Sequence, residues 1–154
     1  MNRGQRRAMI AMAALVVLLT GGGVLAHGGA TGVVKERMDM MSALGDSMKA
    51  LKGLVMGAGE PDRAAIAREA AAIGGHAETM PAKFPEGSLL GPSEARPEIW
   101  TRWPEFETAS GDLASAARGL EKTAASGDGP AMQAGFAAIA KTCAACHRAF
   151  RAKK

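Results

Sequence analysis

Between Val33 and Phe150 the apolar positions recur every three or four residues in four separate stretches, the repeat of a helix with one buried face. The first, residues 33–56, strings Val34, Met41, Leu44, Met48, Leu51 and Val55 along one stripe, with Arg37 at its edge and Met38 on its flank. Met40 lies about 100° round from Met41 and is expected to face elsewhere. Gly57-Ala58-Gly59-Glu60-Pro61 ends this helix. The second begins near Asp62, a capping residue, and runs to about Met80 with Ile66, Ala70, Ile73, Ala77 and Met80 inward. Gly74-Gly75 in its middle lowers helix preference but permits a neighbour to come close. The third covers residues 98–125, with Ile99, Trp103, Phe106, Leu113, Ala117 and Leu120 inward, and Pro104 predicts a kink or restart. The fourth follows Ser126-Gly127-Asp128-Gly129, carries Pro130 in its first turn and runs through Phe150. Residues 83–97, rich in Pro and Gly, form a connection longer than most in a compact domain, which predicts that it packs over something. Four amphipathic helices joined in this way read as an all-α, antiparallel four-helix bundle.

Composition agrees. Alanine, glycine and methionine are abundant, β-branched residues are few and tyrosine is absent. Residues 1–26 read as an address. Arg3, Arg6 and Arg7 precede an apolar run from Ala8 to Leu19, and Val24-Leu25-Ala26 offers a small-residue cleavage site. That run is short for a membrane span of about 20 residues, so a cleaved signal peptide is favoured over an uncleaved anchor, which would be the chain's one membrane attachment. Residues 27–32 would then be a loose lead-in, with His27 as the new N-terminus, and residues 33–154 a single domain. The 19 Lys and Arg against 15 Asp and Glu include three arginines in the address, so the exported domain carries a net charge near +1. Nothing in that balance supports a nucleic-acid surface.

Near the C-terminus stands Cys143-Ala144-Ala145-Cys146-His147, the spacing of a c-type haem attachment run. On a helix, positions i, i+3 and i+4 share a face, so two thiols can tether vinyl groups while the imidazole reaches the iron. Three blander readings compete. A thioredoxin-type redox pair belongs at a helix start after a strand, and here the helix is ending with no strand before it. Half of a zinc site would need further ligands, and His27 and His76 lack the spacing. A Cys143–Cys146 disulfide closes too small a loop to stabilise much. Export also favours haem, since such groups are attached outside the cytoplasm.

The chain resembles the class II c-type cytochromes, the cytochrome c-prime family. The resemblance rests on Arg37…Met41…Gly45, on Met80-Pro81…Phe84-Pro85, on Pro97-Glu98-Ile99-Trp100 with Phe106, and on Cys143 to His147 followed by Phe150-Arg151. It implies a left-handed antiparallel four-helix bundle with one covalent haem c on the last helix, and a periplasmic location. It also implies His147 as proximal iron ligand and Cys143 and Cys146 as thioether tethers. At Met41 it implies a choice. High-spin members are expected to carry an apolar shield there, low-spin members a methionine that supplies the sixth ligand. A methionine points to the low-spin His/Met branch, and a thioether favours ferrous iron and raises the potential. The competing role for Met41 is core packing, one of ten methionines in the chain.

Other residues have weaker claims. Arg37, one turn before Met41, is a candidate for a haem propionate. Arg151, one turn after His147, is expected beside the proximal face, or simply as a cation at a helix C-terminus with Lys153 and Lys154. Met80, Phe84 and Trp100 are expected to pack the haem pocket, and His76 lies one position off its stripe. The leading functional expectation is therefore a periplasmic carrier of single electrons between redox protein partners through a His147/Met41 iron. The alternative is a five-coordinate haem protein that binds nitric oxide or carbon monoxide. No distal acid–base histidine or convergent carboxylate pair argues for an enzyme. A homodimer through the outer faces of the first two helices is implied by the resemblance alone.

Overall fold

The structure is a computed structural model that describes residues 29–152. The address at residues 1–26, and with it the cleavage reading, lies outside the described residues. Four long helices appear where the periodicity puts them: α1 (Gly32–Met56), α2 (Arg63–Thr79), α4 (Trp103–Ser126) and α5 (Gly129–Phe150), with a short α3 (Glu98–Thr101) ahead of α4. Their ends follow local chemistry. The Asp62 carboxylate accepts from the Ala65 amide at 2.9 Å and starts α2. Asp128 accepts from Ala131 at 3.0 Å and starts α5, with Pro130 in the first turn where no amide is missed. Arg102 leaves helical geometry (φ −126°, ψ 41°), so Pro104 falls in the first turn of a fresh helix and the restart expected at that proline occurs just before it. Gly127 at φ +78° ends α4 in the left-handed region that glycine enters without a Cβ penalty.

The helices pack as a ring, α1 on α2, α2 on α4, α4 on α5 and α5 back on α1. Leu51, Ile66, Ile73, Leu120, Met132 and Ile139 are fully buried between them, about 1.5–3 kcal/mol each of apolar burial. One polar tie crosses this core: the Ser110 hydroxyl of α4 donates to the Ala77 carbonyl of α2 at 2.6 Å. Gly74 of the α2 pair is buried against α4, but the contact does not require a glycine. A Cβ on Gly74 would meet Ala117 at an ordinary 3.7 Å, and one on Gly75 would meet nothing. Close approach happens instead at Gly135 of α5, where a Cβ would stand 3.1–3.3 Å from Leu120, including its backbone Cα.

The stripe on α1 differs from the expected one. Met40 is buried at 6% exposure, as are Arg37 and Ser47, whereas Met41 and Met48 are half-buried. The helix presents two adjacent faces to the interior, one to the core and one to a cavity. A single-stripe reading assigns only one of them.

Candidate haem site

α1 and α5 are the least closely packed neighbours in the ring, and the gap between them holds a cavity of about 720 Å³. That is within the range of small-molecule and cofactor sites. Its floor on α5 is Cys143, Cys146 and His147, brought to one face by the spacing of three and four residues. Its opposite wall is α1, with Met38, Met41, Leu44 and Met48, and with Gly45 leaving open space where a side chain would stand. Met80, Phe84 and Phe106 close the end, with Phe106 edge-on to both Phe84 (4.8 Å) and Phe150 (5.5 Å).

Partial burial sets the chemistry of the floor. The Cys143 thiol is pushed up by desolvation, and Cys146 is pushed up to about 11 by desolvation and by its neighbour Cys143. Both are free thiols, and protonated at neutral pH they are slow nucleophiles. His147 is shifted down, chiefly by burial and then by Arg151, against an opposing pull from Glu94. A neutral imidazole is the form that ligates a metal. Among the described residues no group of three His, Cys, Asp or Glu could hold a metal ion, so the zinc alternative gains nothing. The donor set of two thiols and one imidazole, facing an apolar cavity, fits a haem c tethered twice and ligated once.

The other expected residues divide. Met41 lines the cavity, as do Met38 and Met48. Met80 and Phe84 pack its end, but Trp100 does not line it; the indole instead donates to the Phe84 carbonyl at 2.9 Å. His76 is outside the cavity lining. Arg37 borders the cavity but is already engaged. Its Nε donates to Lys83 O (3.1 Å), one terminal nitrogen to Ser88 O (3.2 Å) and Ser93 Oγ (2.9 Å), and the other to Ser88 Oγ (2.6 Å). The guanidinium also lies 4.1 Å from the Phe84 ring centre. Arg37 therefore clamps the connection with four of its five N–H groups while still bordering the cavity. The reason is geometric: residues 83–93 fold back over α1 and offer four oxygens within reach.

The same connection reaches α5. Ala95 and Arg151 form an antiparallel bridge, Arg96 N donating to Phe150 O at 2.9 Å and Ala152 N to Glu94 O at 2.8 Å. Arg151 Nε donates to the Glu94 carboxylate at 2.7 Å. Both side chains line the cavity beside His147. Sequence reasoning did not single out Glu94, because 57 residues separate it from Arg151 and no local pattern links them.

Residues 32–151 match the Cytochrome C' family. The chain belongs to the cytochrome c' family. It is 38% identical over 119 residues to cytochrome c' of Pararhodospirillum photometricum, covering 77% of this chain and 94% of that one. It is 36% identical over 120 residues to that of Rhodospirillum rubrum, covering 77% and 81%. Among solved structures, cytochrome c' of Rhodopseudomonas palustris superposes with a TM-score of 0.73 at 29% identity, over 81% of this chain and 99% of that one. A mutant of cytochrome c prime from Alcaligenes xylosoxidans, solved as its nitric oxide complex, gives 0.71 at 26% identity, over 79% and 94%. The cofactor is one covalent haem c with iron, and the fold is the cytochrome c' four-helix bundle. Among the described residues no helix is long and apolar enough to cross a membrane.

Proposed function

We propose that this chain is a periplasmic monohaem cytochrome c' whose iron keeps its sixth position open to a small neutral gas such as nitric oxide or carbon monoxide. In this reading Cys143 and Cys146 tether the haem, His147 binds the iron, and Met41 shields the opposite side without ligating it. The bound haem supplies the ligand-binding and one-electron chemistry. The low-spin electron carrier expected from Met41 becomes the second reading, because the family and its nitric oxide complex favour the gas-binding alternative.

The observation that carries the proposal is the character of the α1 wall. Met38, Met41, Leu44 and Met48 make it chiefly apolar; of its two polar members, Arg37 gives four of its five N–H groups to the connection and Ser42 is a neutral hydroxyl. Such a wall offers few hydrogen bonds to an anion or to bound water and no acid–base group for peroxide chemistry, while a neutral diatomic needs neither. Three methionines on one wall also act as flexible filler, able to yield space. The electron-carrier reading keeps one supporting fact, that Met41 faces the same cavity as His147.

Absorption and electron paramagnetic resonance of the ferric holoprotein, with Met41→Ala alongside, test the reading. The expected result is a high-spin spectrum in both proteins and nitric oxide binding that is faster in the variant. A low-spin wild type with a sulfur-to-iron charge-transfer band, lost in Met41→Ala, would refute it and restore the electron carrier. The homodimer belongs to the proposal too; sedimentation of the holoprotein at about twice the monomer mass checks it.

A further inference from the structure

Glu94 is held at both its backbone and its side chain by the residues that follow the haem-binding run. Its carbonyl accepts from the Ala152 amide at 2.8 Å, and its carboxylate takes both Nε and a terminal nitrogen of Arg151, at 2.7 and 2.6 Å. Arg151 in turn closes α5, its own amide donating to the His147 carbonyl at 3.1 Å. Glu94, Arg151 and His147 all line one cavity. The guanidinium would sit on the His147 side of a bound haem, where a cation favours the ferrous state and a paired cation does so less.

We propose that Glu94 is a positioning residue for the proximal haem face: it holds Arg151 in an ion pair and so limits how strongly that cation acts on the iron. Glu94 touches neither iron nor ligand in this role; its own charge reaches His147 directly as well, but the larger part of its effect is exerted by where it holds Arg151. The carboxylate comes from the connection, whose earlier residues are clamped by Arg37 on α1. One segment thus contacts both helices that face the haem. The proposal rests on haem attachment at Cys143–His147 and is independent of what occupies the sixth position.

The test is a double-mutant cycle on the holoprotein: wild type, Glu94→Gln, Arg151→Gln and the double variant, with Glu107→Gln on the exposed side of α4 as control. Two readouts are taken, the midpoint potential by spectroelectrochemistry and the melting temperature. Glu94→Gln should raise the potential, Glu107→Gln should leave it unchanged, and in the Arg151→Gln background the Glu94→Gln shift should fall to less than half. A surface ion pair contributes little to stability, so the melting temperature should hold. An equal shift in both backgrounds would mean that Glu94 acts on the haem only by its own charge and not by placing Arg151, and would overturn the proposal. So would an unchanged potential, whether or not the melting temperature falls, since Glu94 would then be at most a brace between the connection and α5. Spin state, read on the same samples, bears only on the sixth position.

Discussion

Replacing Arg37 by methionine asks whether the arginine serves the polypeptide or the cofactor. Methionine keeps much of the apolar stem and removes the charged head. Four hydrogen bonds are lost. Bonds from an ionised donor are worth about 1.5–3 kcal/mol each, so the gross loss is roughly 6–12 kcal/mol. Against this stands the cost of holding a guanidinium at 4% exposure, several kcal/mol, with no carboxylate paired to it among the described residues. Burial accordingly depresses the Arg37 pKa. The cation over Phe84 adds about 1 kcal/mol. The Ser88 and Lys83 carbonyls lose these donors, while Ser88 Oγ still donates to Pro85 O and Ser93 Oγ still accepts from Ala95 N. A net loss of about 3 kcal/mol follows, on the order of 10 °C in Tm for a domain of this size.

Urea unfolding of the holoprotein measures that loss, and amide exchange says where it falls. Protection should drop in residues 83–96 before it drops in α2 or α4, because the clamp holds the connection and not the ring of helices. A loss under 0.5 kcal/mol with unchanged exchange in 83–96 would refute the clamp. Arg37 would then be free to meet a propionate, as the sequence suggested.

Three smaller predictions address the core and the thiols. Gly75→Ala should stabilise by about 0.5–1 kcal/mol, since its Cβ enters open space on α2, whereas Gly135→Ala should destabilise by about 1 kcal/mol, the crowding against Leu120 outweighing better helix preference; denaturant midpoints distinguish the signs. Ser110→Ala should cost about 1 kcal/mol in the same assay, because the Ala77 carbonyl loses a buried donor. Before haem attachment, Cys146 with its pKa near 11 should alkylate about two orders of magnitude more slowly at pH 8 than a free cysteine. Only the thiolate reacts, so its rate should still be climbing above pH 9, where a free cysteine has levelled off. A plateau near pH 9 in the apoprotein would contradict the burial of that thiol.

What the sequence made legible is what depends on neighbours in the chain. The helices, the restart at Pro104, the attachment run and the packing of Met80 and Phe84 all follow from spacings of one to four residues or from a family pattern. What it hid depends on distance. Arg37 looks like an edge residue because its partners lie 46 to 56 residues on, in a stretch with no periodicity. Met40 and Met41 cannot both be inward on a helix with one buried stripe, yet both are, because α1 borders the core and the cavity at once. The glycines show the same limit. Gly74-Gly75 carries the obvious signal, but the glycine whose missing Cβ the packing needs is Gly135, which only the docking of α5 on α4 reveals.

The connection gives the fold its cavity as much as the helices do. A ring of four helices filled evenly would leave no room between α1 and α5, and the small residues of the attachment run, Ala144 and Ala145, do nothing to prop them apart. Residues 83–96 cap the end of that gap instead, through Arg37 on one side and through the Ala95–Arg151 bridge on the other. Polar ties of this kind are directional, unlike apolar packing, so they fix the spacing of the two helices without filling what lies between. The stretch with the least secondary structure therefore touches both helices that border the haem cavity, and substitutions there should alter the properties of a bound haem while leaving the helical content of the bundle unchanged.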